Sequence, residues 1–217
     1  PVAASGNNTL TLPNDGTIIS KDSNGAVGVT SVTVGTGVTI GDGRVTATSF
    51  VGSGANLTGL TSGLTTAYQF RLTSGLTLSN STVELTANWE KIDNTGQGNL
   101  GTFADPSSGV FTFPSTGIYL VRFNGYFEDS GDSPQSTLNI LVTHNNGTDY
   151  STVASVNSSN SNLDTYTYSA GSVESLVDVT DTSNVKVKFS AFNHSASLDG
   201  SSTQNRTYVT FIRLGDT

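Results

Sequence analysis

Phe50 is the only aromatic residue before Tyr68; every tyrosine, the single tryptophan and all the other phenylalanines follow it. Aromatic side chains are the main apolar payload of a small β core. A first stretch that lacks them, and is instead full of Gly and Thr, cannot bury enough area to offset its own ordering entropy. Its pattern is nevertheless regular. Val27 and Val29, Val32 and Val34, then Val38 and Ile40 form short alternating pairs with Gly or Gly-Thr between them. Thr9-Leu10-Thr11-Leu12 and Thr17-Ile18-Ile19 flank a Pro13-Asn14-Asp15-Gly16 turn. Each copy thus offers one narrow apolar strip that identical neighbours can cover, as in an intertwined β-fibre. Composition alone also fits an unstructured linker.

Past residue 64 the pattern changes to that of a sandwich. Strands are predicted at Tyr68–Leu72, Val83–Ile92, Gly109–Phe113, Ile118–Phe127, Thr137–Thr143, Asp164–Tyr168, Val173–Val179, Val185–Phe192 and Thr207–Leu214. Turn clusters such as Asp93-Asn94-Thr95-Gly96, Asn145-Asn146-Gly147 and Asp199-Gly200-Ser201 separate them. Val185-Lys186-Val187-Lys188-Phe189 alternates strictly, giving one buried and one wet face of an antiparallel sheet. Val156 to Asn162 reads as a long polar loop. The expected organisation is a β-fibrous stalk over 1–63 and an all-β, two-sheet jelly roll over 64–217.

Ser, Thr, Asn and Gly make up roughly half of the 217 residues, and charged residues only 12%, against about a quarter in ordinary globular proteins. Such a chain has little from which to build long helices. A net charge of −8 excludes a phosphate backbone as the main partner, so no nucleic acid is expected. The absence of cysteine removes thiol catalysis, Cys-ligated zinc and disulfides. Apolar runs such as Ile118 to Val121 are too short to span a bilayer as a helix, and no membrane insertion is expected. With no signal-peptide pattern and no Met, a chain opening at Pro1 is expected to be processed, or cut from a longer protein with domains upstream.

Two segments carry a resemblance. Trp89-Glu90-Lys91-Ile92 is followed by Asp105-Pro106-Ser107-Ser108-Gly109-Val110-Phe111-Thr112-Phe113-Pro114-Ser115-Thr116-Gly117-Ile118-Tyr119 and Phe123. This run resembles the central signature of the C1q-like head, a relative of the tumour necrosis factor jelly rolls. Tyr208 to Leu214 fits its closing strand, while Thr182-Ser183-Asn184 stands where the family often has Gly-Asp. The resemblance implies a ten-strand C1q/TNF-like jelly roll and a homotrimer. Residues 45–60, from Val45 through Phe50-Val51-Gly52-Ser53-Gly54-Ala55-Asn56-Leu57 to Leu60, are similar to a repeat in bacteriophage tail fibres, notably those of marine cyanophages. No collagen Gly-X-Y precedes the head, unlike the eukaryotic C1q proteins.

Catalytic chemistry is sparse. His144 and His194 both fall at strand ends beside Asn- and Ser-rich turns, where an exposed polar role outweighs a triad base. Most carboxylates sit in turns, where Asp belongs for backbone reasons. The glycines of Gly35-Thr36-Gly37 and Gly41-Asp42-Gly43 are followed by neither Lys-Ser/Thr nor a helix, unlike phosphate loops. Asp129 and Asp132, and Asp178 and Asp181, are candidate Ca²⁺ ligands, set against the plainer reading of solvated acidic loops without EF-hand spacing. Asn157, Asn160 and Asn162 are candidate ligand-reading groups, and Tyr166 and Tyr168, two apart on one side of a strand, can stack on sugars or pack in a core or subunit interface.

The expectation is therefore a non-enzymatic, extracellular virion appendage. It would be a homotrimeric tail fibre joined to upstream virion proteins, with a distal knob that attaches to a host-cell surface glycan or protein. A head or whisker fibre, or a bacterial surface adhesin of architectural role, remains open, as does a glycan-depolymerising enzyme.

Overall fold

The structure, a computed structural model, describes residues 63–129, 133–160 and 167–217. The stalk and its repeat at 45–60 lie outside them, apart from Gly63. Twelve strands run through the described residues: β1 Ala67–Leu72, β2 Leu76–Thr77, β3 Ser81–Glu84, β4 Trp89–Lys91, β5 Phe111–Thr112, β6 Gly117–Asp129, β7 Ser133–Thr143, β8 Ser151–Asn160, β9 Thr167–Val179, β10 Lys186–Asn193, β11 Ser197–Leu198 and β12 Tyr208–Gly215. All pairings between them are antiparallel.

In the first sheet β6 is the axis. It pairs with β9 along its whole length, and on its other side with β12 and then β11. From β12 the sheet continues through β1 to β4, and β2 adds to β11. In the second sheet β10 pairs with β7 on one side and with β3 and β5 on the other, and β8 extends β7. The two sheets face each other across a core of aromatics. Phe211 lies at its centre, with ring centroids 4.7 Å from Phe103, 5.2 Å from Phe111 and 6.2 Å from Phe189. Strict in–out alternation along β6 sends Tyr119, Val121, Phe123 and Phe127 into this core and the even-numbered residues outward.

The segment predicted as one strand over Val83–Ile92 is two. β3 joins the second sheet and β4 the first, with Asn88 at φ 64° in the link. Trp89 turns its ring onto Phe111 at 5.4 Å and donates its indole N–H to the Leu85 carbonyl at 2.9 Å. A crossover from one sheet to the other needs such a kink, and the alternation of Val83, Leu85, Ala87 and Trp89 runs through it without a break.

Two further expectations change. The polar run expected as a loop is strand as far as Asn160, because β7 pairs with it, with register shifts at Ser133/Ser136 and Ile140/Leu141, and Ala154 and Val156 pack on the core. Tertiary pairing here overrides the low strand preference of Ser and Asn. The separate strands expected at 164–168 and 173–179 form one, β9, from Thr167 on; 164–166 lie outside the described residues. Gly171 sits opposite Gly125 of β6, and the Leu138 side chain of the other sheet fills the hollow between them. A Cβ on Gly125 would come within 2.6 Å of Leu138 Cδ2.

The Asp105-to-Gly109 signature forms a tight turn. Ser107 and Val110 exchange backbone hydrogen bonds of 3.1 and 2.9 Å, and Ser108 and Gly109 have φ of 49° and 74°. Positive φ at both central residues is the turn that matches the twist of adjoining strands. A Cβ on Gly109 would lie 2.2 Å from the Leu85 carbonyl oxygen, so the position requires glycine for space as well as for φ.

Candidate functional site

The outward face of the first sheet is organised in cross-strand rows. In one row Leu176 of β9 faces Leu120 of β6, Leu120 faces Ile212 of β12, Ile212 faces Ala67 of β1, and Ala67 is bridged to Leu100. Leu176 is 64% exposed and Leu100 46%, and Leu214 beside Ile212 is 52% exposed. One row along, the face is polar. Glu174 accepts from Arg122 Nε and Nη2 at 2.9 and 2.6 Å, and Gln69 Nε2 donates to Thr210 Oγ1 at 2.9 Å. Nearer β4, Arg71 is fully buried yet satisfied. Its Nε meets Glu90 Oε1 at 2.7 Å, Nη2 meets Asp93 Oδ1 at 2.5 Å, and Nη1 donates to Gln97 Oε1 at 3.3 Å.

Six residues beyond Leu120 along β6, about 20 Å at the rise of a strand, the face becomes aromatic. Tyr126 stacks on Tyr168 with centroids 5.6 Å apart and planes 27° apart. The Arg206 guanidinium lies 5.9 Å from the Tyr126 ring centre and is ion-paired to Asp199. That carboxylate holds the Arg206 pKa above its ordinary value. Three backbone tethers fix the group. Asp199 N donates to Tyr126 O at 2.7 Å, Tyr126 N donates to Thr207 Oγ1 at 3.2 Å, and Glu128 is the ladder partner of Tyr168.

The candidate residues of the sequence reading are dispersed. Tyr168 is outward and 54% exposed, so it is not a core residue. Among the described residues it stacks on Tyr126; Tyr166, Asn162 and Asp132 lie outside them. Asn157 is exposed on β8, where its Oδ1 accepts from Thr137 Oγ1 at 2.6 Å, and Asn160 closes the same strand. Asp129 is buried at the last position of β6, while Asp178 pairs with Ile118 at the far end of that strand. Asp181 caps the turn before β10, accepting from Ser183 N at 2.7 Å and Asn184 Nδ2 at 2.8 Å. Among the described residues no three His, Asp or Glu side chains converge as a metal site. His144 is exposed, and His194, also exposed, meets the Phe192 ring edge-on at 5.2 Å. Among the described residues no helix is long and apolar enough to cross a membrane.

Tyr126, Arg206 and Asp199 escaped the sequence reading because they are 31 or more positions from one another or from Tyr168 in all but one pairing, and only the ladder order unites them. The alternation of β6 was the one available signal, since it puts Tyr126 on the face opposite Phe123 and Phe127.

This strand order and its two faces define a tumour necrosis factor-like jelly roll, all-β throughout the described residues. Among solved structures the chain is similar to the Eiger tumour necrosis factor of S. frugiperda, at 15% identity and a TM-score of 0.51, covering 70% of this chain and 93% of that one. Murine APRIL at pH 8.5 gives 13% identity and a TM-score of 0.44, covering 69% and 98%. No protein-family model matches the chain, and no curated protein matches it.

Proposed function

We propose that the chain is a non-enzymatic, homotrimeric virion appendage, a tail fibre whose residues 1–63 form a β-fibrous stalk and whose jelly roll is a host-attachment knob. The observation that carries self-association is the apolar row Leu176–Leu120–Ile212–Ala67–Leu100, with Leu176 more than half exposed. A contiguous exposed apolar strip on a β-sheet face is a mark of a protein contact. A closed cyclic assembly is the common way to cover it. The repeat at 45–60, similar to phage tail fibres, supports the virion setting, and repeated knobs would multiply weak surface contacts. Light scattering behind a sizing column tests the assembly. Three chains of 22.4 kDa give about 67 kDa, and a 22.4 kDa species at working concentration would remove the basis of the proposal. Adsorption of the labelled protein to cultured cyanobacterial cells tests attachment.

A further inference from the structure

We infer that the Tyr126–Tyr168 stack with Arg206 and Asp199 is a binding site for a neutral hexopyranose ring of a surface glycan. This inference rests on the attachment reading above and names the chemistry of its ligand.

The first argument is the exposed ring. Tyr168 stands 54% exposed with the Tyr126 ring stacked against it. A ring held by a second ring loses little conformational freedom when a ligand stacks on it. Beyond Tyr168 on the same face of β9 come Ala170 and Ser172, both exposed. These small side chains leave a shallow shelf beside the ring rather than a closed pocket. A flat, ring-sized ligand with an apolar face suits a platform of that shape.

The second argument is the polar rim. A sugar presents adjacent hydroxyls that both donate and accept. Arg206 and Asp199 offer a planar set of donors beside a carboxylate acceptor, fixed by their mutual ion pair. The Arg206 side chain is 44% exposed and engages Asp199 through Nη1, while the Asp199 carboxylate is 17% exposed. The stacked rings stand on strands, Tyr126 on β6 and Tyr168 on β9, and are positioned by ladder hydrogen bonds, while Arg206 and Asp199 come from the connection between β11 and β12.

The third argument is charge. Asp199 and Glu128 outnumber the one guanidinium, and Glu128 is the ladder partner of Tyr168 itself. A uronic or sialic acid would meet net negative potential here, whereas a neutral hexose would not. The site also lies about 20 Å from the apolar row, so occupation of one leaves the other accessible.

The test uses the full chain on an array of immobilised oligosaccharides, neutral ones built from glucose, galactose, mannose and N-acetylglucosamine beside acidic ones bearing uronic or sialic acids. Binding to neutral members is expected, weakened about tenfold or more by Tyr168→Ala and by Arg206→Gln and kept by Tyr168→Phe. Unfolding temperature and solution mass should be unchanged in all three. Equal binding by Tyr168→Ala, or binding confined to acidic glycans, overturns the site and leaves attachment standing. So does adsorption to cells without any binding on the array. A drop in mass on Tyr168→Ala would assign the stack to a subunit contact and also overturn it. Loss of both array binding and cell adsorption in the unaltered protein overturns the site and the attachment reading together.

Discussion

Leu176 of β9 lies directly opposite Leu120 of β6, and both point away from the core. Two leucines paired across a ladder on a wet face gain little from folding one chain. Their area becomes useful only when a second surface covers it. Leu176→Asp should therefore lower the solution mass to 22.4 kDa, and the melting temperature should fall only by what assembly had contributed and become independent of protein concentration. Light scattering and a thermal melt on the same sample read both. An unaltered mass would show that this row is not the contact.

Phe211 should be the most sensitive single position of the core. It is fully buried and touches rings from both sheets. Phe211→Ala should cost about 3–5 kcal/mol, measured by urea unfolding. A loss below about 1 kcal/mol would mean that the surrounding rings collapse into the space.

Gly109→Ala tests the signature turn. The substitution asks a Cβ to occupy a position 2.2 Å from a carbonyl oxygen at φ 74°. A destabilisation of about 2 kcal/mol or more is expected, whereas Gly96→Ala, which has positive φ but open space around it, should cost less. Equal losses at the two sites would remove the crowding argument.

Tyr150 supplies a pH dependence. Burial, and then the nearby Glu84 charge, raise its pKa above 10.0, and Lys188 Nζ sits 4.1 Å from its ring centre. The neutral phenol is thus favoured in the fold. Its contribution is complete below the unfolded value of 10.0 and is lost as pH rises through the higher folded value. Stability measured from pH 8 upward should fall less steeply above about pH 10 in Tyr150→Phe than in the original chain. Parallel curves would contradict the shift.

How much of this was legible beforehand depended on periodicity. The alternation of Val185 to Phe189 gave β10 its buried face, and the Asp105-to-Tyr119 run gave the jelly roll and its turn. β8 was misread because Ser and Asn are poor strand formers, and only the ladder with β7 makes them strand. The sheet change at Asn88 was masked because Val83, Leu85, Ala87 and Trp89 alternate straight through it, and only the change of phase at Lys91-Ile92 marks a break. For the aromatic site, Tyr168 was visible as a residue, but its stacking on Tyr126 depends on strand order, which short-range pattern does not encode.

Leu138 set into the hollow of Gly125 and Gly171 has a consequence for how the chain finds its pairing. In–out alternation rejects a slip of one residue between β6 and β9, because every side chain would change face. A slip of two keeps every face correct, and alternation is blind to it. Such a slip would bring Ser169 or Val173 beneath Leu138 in place of Gly171, and the tooth would no longer fit its notch. The paired glycines thus act as a key cut for one alignment only, and they settle the ambiguity that a thirteen-residue ladder of alternating residues leaves behind.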